Sequence, residues 1–254
     1  MILNSKIIGE GPSLIILHGL FGSLDNWFSI AKYLSANFQV HILDQRNHGK
    51  SFHNITHNYN DMCSDLFNYV SHYRLANTHL LGHSMGGKTA MYFALKYPEI
   101  INKLIVVDIA PKQYPQTHKN LVSLLRKVQL SKITRRKDVE QILMKNEFDM
   151  NTIRFLLKNL YWINDKELKF RFNIESIYQS LDQLMNFELL ENTWNGLSFF
   201  IKGQKSNYIL DSDLPIINSF FPNFKLFNIP ESGHWVHFDQ KTIFLKTINN
   251  ILNT

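Results

Sequence analysis

The stretch THLLGHSMGGKTAM (Thr78–Met91) decides the fold, because it joins a strand pattern to a helix pattern through a glycine-rich turn. Its centre, Gly82-His83-Ser84-Met85-Gly86, fits the G-x-S-x-G pattern of a nucleophile elbow, in which a serine occupies a strained strand-to-helix turn. The segment from Gly82 to Thr89 also fits G-x-x-x-x-G-K-[ST], the pattern of a phosphate-binding P-loop. Both patterns fit this motif, so the rest of the chain has to decide between them.

Apolar strand-like runs alternate with amphipathic helical stretches on both sides of the motif. The predicted strands are residues 14–19, 38–44, 78–83, 103–108, 197–202 and 224–229, and the predicted helices are residues 27–36, 61–75, 85–97 and 241–252. Such alternation is typical of an α/β fold, with a mostly parallel central sheet flanked by helices. Ligand-binding side chains are expected at the carboxyl ends of the strands.

This alternation stops between residues 111 and 195, where helical periodicity replaces it. The predicted helices there are residues 121–130, 139–150, 153–160 and 174–184, with hardly any strand signal. The strand pattern then resumes and needs the first half of the chain to complete one sheet. We therefore interpret 1–110 and 196–254 as a single core domain and 111–195 as a helical cap inserted over the strand ends.

Composition excludes several other classes of protein. The 254 residues are 44% hydrophobic and 19% charged, which is typical of a globular domain and not of a disordered chain. The net charge is +6, but no nucleic-acid-binding motif accompanies it. We see no signal peptide, no apolar run long enough to span a membrane and no spacing of metal ligands. These observations predict a cytoplasmic protein without metal or cofactor, and without nucleic-acid or membrane partners.

Distant residues favour the nucleophile elbow. A nucleophilic serine needs a histidine as base, and His234 follows the last predicted strand. It also needs backbone amides for the oxyanion, which Met85 and the loop His18-Gly19-Leu20 can supply. In a P-loop, Lys88 and Thr89 would contact phosphate and magnesium, but the histidine and the early loop would have no explanation.

Five ordered blocks of the sequence resemble a known family, the small α/β-hydrolase esterases of the bacterial YbfF type. The blocks are LHGLFGSLDNW (17–27), LDQRNHGKS (43–51), LGHSMGGKTAM (81–91), VVDIAPKQY (106–114) and GHWVHF (233–238). The resemblance implies an α/β-hydrolase fold with a helical cap. It also implies hydrolysis of carboxylic esters or thioesters without a cofactor, through an acyl-enzyme on Ser84.

The acid of the implied triad departs from the wider superfamily. Many relatives carry an aspartate in a G-x-x-D pattern after a late strand, but here Gly203-Gln204-Lys205-Ser206 ends in serine. The resemblance assigns the acid to Asp108 instead, at the end of the preceding strand. Asp211 is the runner-up and Asp213 the third choice. The implied triad is thus Ser84, Asp108 and His234, with the Leu20 and Met85 amides as the oxyanion hole.

Aromatic side chains near the expected site predict an apolar pocket for a short-to-medium acyl group. The candidates are Phe21, Trp27, Tyr114, Trp162 and Trp235. The basic run KITRRK (132–137) would suit an acidic carrier of the acyl group, although a solvated helix face is the more common role of such a run. A third hypothesis is a binding module that has this fold but no catalysis.

One loop prediction concerns structure alone. Asp44 and Arg46 follow a predicted strand, and we expect them to form a buried ion pair that fixes the loop. His18, in the predicted oxyanion loop, is expected to hold that loop by hydrogen bonds.

Overall fold

A seven-stranded sheet forms the centre of the computed structural model, which describes residues 1–133, 135–164, 167–187 and 192–254. The strand order is β1-β3-β2-β4-β5-β8-β9, with β1 antiparallel to β3 and the other pairs parallel. The strands are β1 (Ser5–Ile8), β2 (Ser13–Leu17), β3 (Gln39–Leu43), β4 (Thr78–His83), β5 (Ile101–Val107), β6 (Leu160–Asn164), β7 (Glu167–Phe170), β8 (Leu197–Gly203) and β9 (Phe224–Ile229). The predicted mostly parallel sheet is confirmed.

Helices cover both faces of the sheet, as predicted. They are α1 (Phe28–Leu34), α2 (Tyr59–His72), α3 (Met85–Lys96), α4 (Lys119–Lys127), α5 (Arg136–Lys145), α6 (Met150–Leu157), α7 (Ile174–Gln179), α8 (Leu181–Met185), α9 (Leu214–Phe220), α10 (Val236–Asp239) and α11 (Lys241–Leu252). Short 3-10 turns lie at Leu24–Trp27, Leu130–Lys132 and Asp211–Asp213.

The sheet separates two apolar cores because successive strand residues point to opposite faces. Leu80 of β4 packs in one core with the apolar faces of α2, α3 and α9, whereas its neighbour Leu81 packs in the other with α1 and α11. Both leucines are fully buried. The central strands β2, β4 and β5 are therefore buried over almost their whole length, as expected for a parallel sheet covered on both sides.

Strand pairing brings the predicted site residues to one edge of the sheet. β2 pairs with β4, β4 with β5, and β5 with β8, all in parallel. The loops after these strands begin at His18, Ser84, Asp108 and Gln204. They are therefore neighbours in space although far apart in sequence, which is the arrangement expected of a ligand site in such a sheet.

Residues 111–195 contain the predicted helices, with one substantial difference. The predicted helix 153–160 ends at Leu157, and an antiparallel hairpin of β6 and β7 follows it. The predicted helix 174–184 is two short helices, α7 and α8. The prediction of hardly any strand in this segment was therefore wrong. The division of the chain into core and cap stays a prediction.

Three other features differ from the predictions. The edge strand β1 and the helix α9 were not predicted. The expected Asp44–Arg46 ion pair was wrong, because Arg46 pairs with Asp61 and Asp65 of α2. Asp44 instead accepts hydrogen bonds from the backbone amides of Leu24 and Lys50.

Within the described ranges, no helix has the length and apolar content needed to cross a membrane. The cytoplasmic location stays a prediction.

Candidate active site

Ser84 occupies the sharp turn between β4 and α3. Its backbone has φ of 53° and ψ of −118°, a strained conformation for a residue with a side chain. The flanking glycines make the turn possible: a Cβ on Gly82 would overlap the carbonyl of Gly86, and a Cβ on Gly86 would overlap the carbonyls of Leu17 and His18. The predicted nucleophile elbow is therefore present as a backbone structure.

This packing predicts that Gly82→Ala destabilises the protein. The added methyl group would meet backbone atoms of Gly86 and Gly87, which cannot rotate away. We expect the free energy of unfolding to fall by about 3 kcal/mol, measured by urea denaturation.

Gly233→Ala is the matched control for this prediction. A Cβ at Gly233 would meet only Asp239 Oδ2 at 3.4 Å, an ordinary contact. Its φ is also outside the left-handed region, so alanine fits there. Equal losses of stability in the two variants would contradict the steric explanation of the elbow glycines.

The structure brings the three predicted triad residues together. His234 Nε2 lies 3.0 Å from Ser84 Oγ, and His234 Nδ1 lies 2.8 Å from Asp108 Oδ2. The Asp108 side chain is fully buried, whereas the His234 side chain is 23% exposed. This geometry allows His234 to donate Nδ1–H to the carboxylate while Nε2 accepts a proton from the serine hydroxyl.

Asp108 is held by donors from a neighbouring strand end. Its Oδ1 accepts from the Gly203 backbone amide at 3.0 Å, and its Oδ2 accepts a short hydrogen bond from Ser206 Oγ. Ser206 occupies the position where the wider superfamily pattern has its aspartate. The sequence showed this departure, but it did not reveal that the serine would bind the alternative acid.

The other two candidate acids lie elsewhere. The exposed Asp211 begins a 3-10 turn, and among the described residues it makes no hydrogen bond to His234. Asp213 forms an ion pair with Lys112 and accepts from the Leu210 amide. The geometry thus favours Asp108 over both.

Two residues that the sequence did not identify orient His234. Tyr208 stacks on its imidazole, with ring centroids 3.7 Å apart and planes at 17°. His83 Nε2 donates to the His234 carbonyl oxygen at 2.8 Å, so its proton is on Nε2. Burial holds the pKa of His83 well below its usual range, which keeps this ring neutral. No sequence pattern indicated Tyr208.

The predicted oxyanion loop is fixed by buried hydrogen bonds. His18 Nε2 accepts from the Gln45 backbone amide, and the Gln45 side chain donates to the His18 carbonyl. Phe21 has φ of 59°, which turns the chain sharply after Leu20. Met85 is the first residue of α3, where backbone amides have no partner within the helix. Leu20 and Met85 both line the cavity at Ser84.

Two cavities meet at the serine and histidine. The larger has a volume of about 420 Å³, and the smaller about 240 Å³. Leu20, Ser84 and His234 line both. The larger continues beneath α8 past Tyr59 and Lys88, and the smaller extends toward Phe155 of α6.

The predicted pocket aromatics divide between these cavities, with one exception. Tyr114 lines the larger cavity, and Phe21, Trp27 and Trp235 line the smaller. Trp27 is also a core residue, since it stacks on His237 with ring centroids 4.1 Å apart. Trp162 lies on strand β6 of the hairpin, where it is 39% exposed and lines neither cavity. Its assignment to the pocket was wrong, because the β6–β7 hairpin holds it outside both cavities.

The alternative P-loop hypothesis was also wrong. Helix α3 already begins at Met85, so Met85 to Thr89 are helical and form no open loop around a phosphate. The Thr89 hydroxyl is buried and bonds Gln45 and the Met85 carbonyl. Among the described residues, no group of three or more His, Cys, Asp or Glu side chains could hold a metal ion.

The fold and this site define an α/β hydrolase. Residues 12–241 match the family model described as alpha/beta hydrolase fold, and the chain belongs to that family.

Several relatives that match most of this chain are named as lipases or esterases. The sn-1-specific diacylglycerol lipase ABHD11 of Danio rerio is 36% identical over 253 residues, covering 96% of this chain and 79% of the lipase. Esterase YbfF of Escherichia coli is 29% identical over 241 residues, covering 94% of this chain and 92% of the esterase. A solved marine microorganism esterase superposes with a TM-score of 0.95 at 39% identity, covering 98% of both chains. The predicted resemblance to YbfF-type esterases is confirmed, and these relatives support a hydrolase function.

Proposed function

We propose that the protein is a serine esterase that forms an acyl-enzyme on Ser84. The observation that carries the proposal is the chain of hydrogen bonds from Ser84 through His234 to Asp108, at the junction of two cavities. A serine hydroxyl becomes an effective nucleophile when a base takes its proton and a third group holds that base.

The reaction follows from this arrangement. Ser84 Oγ attacks the ester carbonyl carbon while His234 Nε2 accepts the hydroxyl proton. Asp108 stabilises the imidazolium that forms, and the Leu20 and Met85 amides bind the oxyanion, each contributing about 3 kcal/mol. His234 then gives its proton to the leaving alcohol or thiol. It next takes a proton from water, which attacks the acyl-enzyme. His234 returns that proton to Ser84 Oγ as the acyl–oxygen bond breaks, which releases the acid and restores the free enzyme.

The two cavities support an ester whose acyl group and leaving group are both of modest size. Because the two cavities share the serine and histidine, one can receive the acyl group and the other the leaving group. A volume of about 420 Å³ lies toward the small end of ligand pockets. It favours short-to-medium acyl groups over long chains.

A panel of p-nitrophenyl esters from acetate to palmitate tests this proposal. We expect kcat/KM to peak at short or medium chains and to fall at longer ones, and a fluorophosphonate probe to label Ser84. Absence of both labelling and hydrolysis would leave only the hypothesis of a binding module. A maximum at palmitate would contradict the proposed chain length.

A carrier-bound substrate is a narrower form of this proposal. The basic run 132–137 motivates it, but two of its arginines already have partners: Arg135 pairs with Asp138, and Arg136 donates to the Leu160 carbonyl. Residue 134 lies outside the described residues. An acidic carrier protein should inhibit hydrolysis of a simple ester competitively, and failure to compete would exclude the carrier.

A further inference from the structure

A buried lysine lies in the same cavity as the proposed nucleophile. Lys88 is the fourth residue of α3, one helical turn beyond Ser84, and it is 1% exposed. Its Nζ donates to the carbonyl oxygens of Met185 and Asn186, at 3.0 and 2.9 Å. Both Lys88 and Ser84 line the larger cavity. The proposed esterase mechanism gives this side chain no role.

The Lys88 ammonium has no carboxylate partner among the described residues. Two described acids near Tyr114 already have partners: Asp108 binds His234, and Asp213 pairs with Lys112. The ammonium instead lies near the ring faces of Tyr59 and Tyr114, at 5.6 and 4.8 Å from their centroids. Burying an unpaired charge in this way is costly, and an apolar side chain would avoid that cost.

Lys88 retains the capacity to bind an anion. An ammonium has three N–H donors, and the two carbonyl oxygens occupy two of them. Burial, together with the charge of Lys112, lowers the pKa of Lys88 to about 7. A carboxylate beside it would favour the charged form and offset the cost of its burial. Lys205 also lines this cavity, but its side chain is 60% exposed and pairs with Glu231.

We propose that Lys88 binds a carboxylate carried by the substrate, on the half of the ester that enters the larger cavity. The preferred substrates are then esters with a free carboxylate a few bonds from the ester group. This inference rests on the proposed esterase function and specifies its substrate class.

The helix geometry sets the distance between the ester group and the carboxylate in such a substrate. Four residues of an α-helix rise about 6 Å, and helical side chains lean toward the N-terminus, here toward Ser84. The ester carbonyl at Ser84 and a carboxylate at Lys88 would therefore be separated by a spacer of a few methylene groups.

Matched pairs of esters test the proposal, with kcat/KM measured by pH-stat titration. In one arm, monoethyl glutarate is compared with ethyl valerate, so that the carboxylate lies on the acyl half. In the other, the acetate ester of 4-hydroxybutyrate is compared with butyl acetate, so that it lies on the alcohol half. We expect the charged ester to be preferred at least tenfold in one arm, the size of a hydrogen bond between charged groups.

The variant Lys88→Met should abolish this preference, and Lys96→Met is its matched control. Lys96 is on the same helix but exposed, with its Nζ on Asn60. A ratio measured within one variant does not depend on how much of that protein is folded. A purely structural role for Lys88 would lower both rates and leave their ratio unchanged.

The outcomes separate this inference from the proposed function. If wild-type protein hydrolyses the neutral esters with no preference for the charged ones in either arm, the Lys88 proposal is overturned and the esterase proposal stands. A charged-ester preference that survives Lys88→Met also overturns it. If no ester in either arm is hydrolysed, both proposals fail.

Discussion

Replacing Ser84 by alanine is expected to lower kcat for ester hydrolysis by roughly 10⁴- to 10⁶-fold. Without Oγ there is no atom to form the acyl-enzyme, and the remaining groups can only assist attack by water. The His234–Asp108 pair and the Leu20 and Met85 amides would still stabilise a transition state. A small residual rate above the uncatalysed reaction is therefore compatible with the mechanism, and the fluorophosphonate label should be lost completely.

The Ser84→Ala variant is expected to remain folded. The strained backbone conformation of Ser84 is imposed by its neighbours, since the carbonyl of Val107 accepts from its amide and the glycines provide the space. Its melting temperature should stay within a few degrees of that of wild type, measured by circular dichroism. A folded variant that keeps more than about 1% of wild-type kcat would show that Ser84 is not the nucleophile.

The sheet could be predicted from the sequence because its strands are short apolar runs separated by polar turns. Leu80 and Leu81 face opposite cores and are both buried. Adjacent apolar residues therefore mark this strand in the sequence. The elbow could be predicted for a related reason: only glycine fits at Gly82 and Gly86, so the motif follows from sterics. His234 could be proposed because it follows the last predicted strand. Asp108 needed the resemblance as well, because sequence distance alone does not show which strand ends are neighbours.

Other features depended on tertiary contacts that no local pattern encodes. The β6–β7 hairpin was not predicted, and Trp162 on its first strand lines neither cavity at Ser84. Arg46 pairs with Asp61 and Asp65 of α2, which lie 15 and 19 residues further along the chain, and not with Asp44, two residues before it. Ser206 and Tyr208 contact the triad only because β8 ends beside β5.

The surroundings of the Lys88 side chain could not be predicted from the sequence either. Its place in the G-x-x-x-x-G-K-[ST] pattern suggested phosphate chemistry, and the elbow interpretation then left it with no chemistry. The sequence cannot show that its ammonium is buried against backbone carbonyls in the serine's own cavity. The contacts of Lys88 with the end of α8 place its ammonium there without a carboxylate partner in the described part of the chain, which makes Lys88 a candidate determinant of specificity.

Replacing Asp108 by asparagine is expected to lower kcat by about 10⁴-fold at neutral pH. The amide cannot act as the charged acceptor for His234 Nδ1–H, so the ring loses the partner that holds its productive tautomer and stabilises the imidazolium. Asparagine is the informative substitution because Asp108 has φ of 52°, a conformation that asparagine tolerates. Stopped-flow measurement of acylation should show the loss in the first chemical step.

Asp211→Asn is the matched control, and it should leave kcat within about twofold of wild type. Its exposed carboxylate makes no hydrogen bond to His234 among the described residues, whereas Asp108 is fully buried with three donors around it. The two variants make the same chemical change at the two leading candidate acids, so they differ only in position. A large loss in Asp211→Asn with an active Asp108→Asn would assign the acid to Asp211. That result would require the imidazole to leave both Tyr208 and the carboxylate that it now contacts.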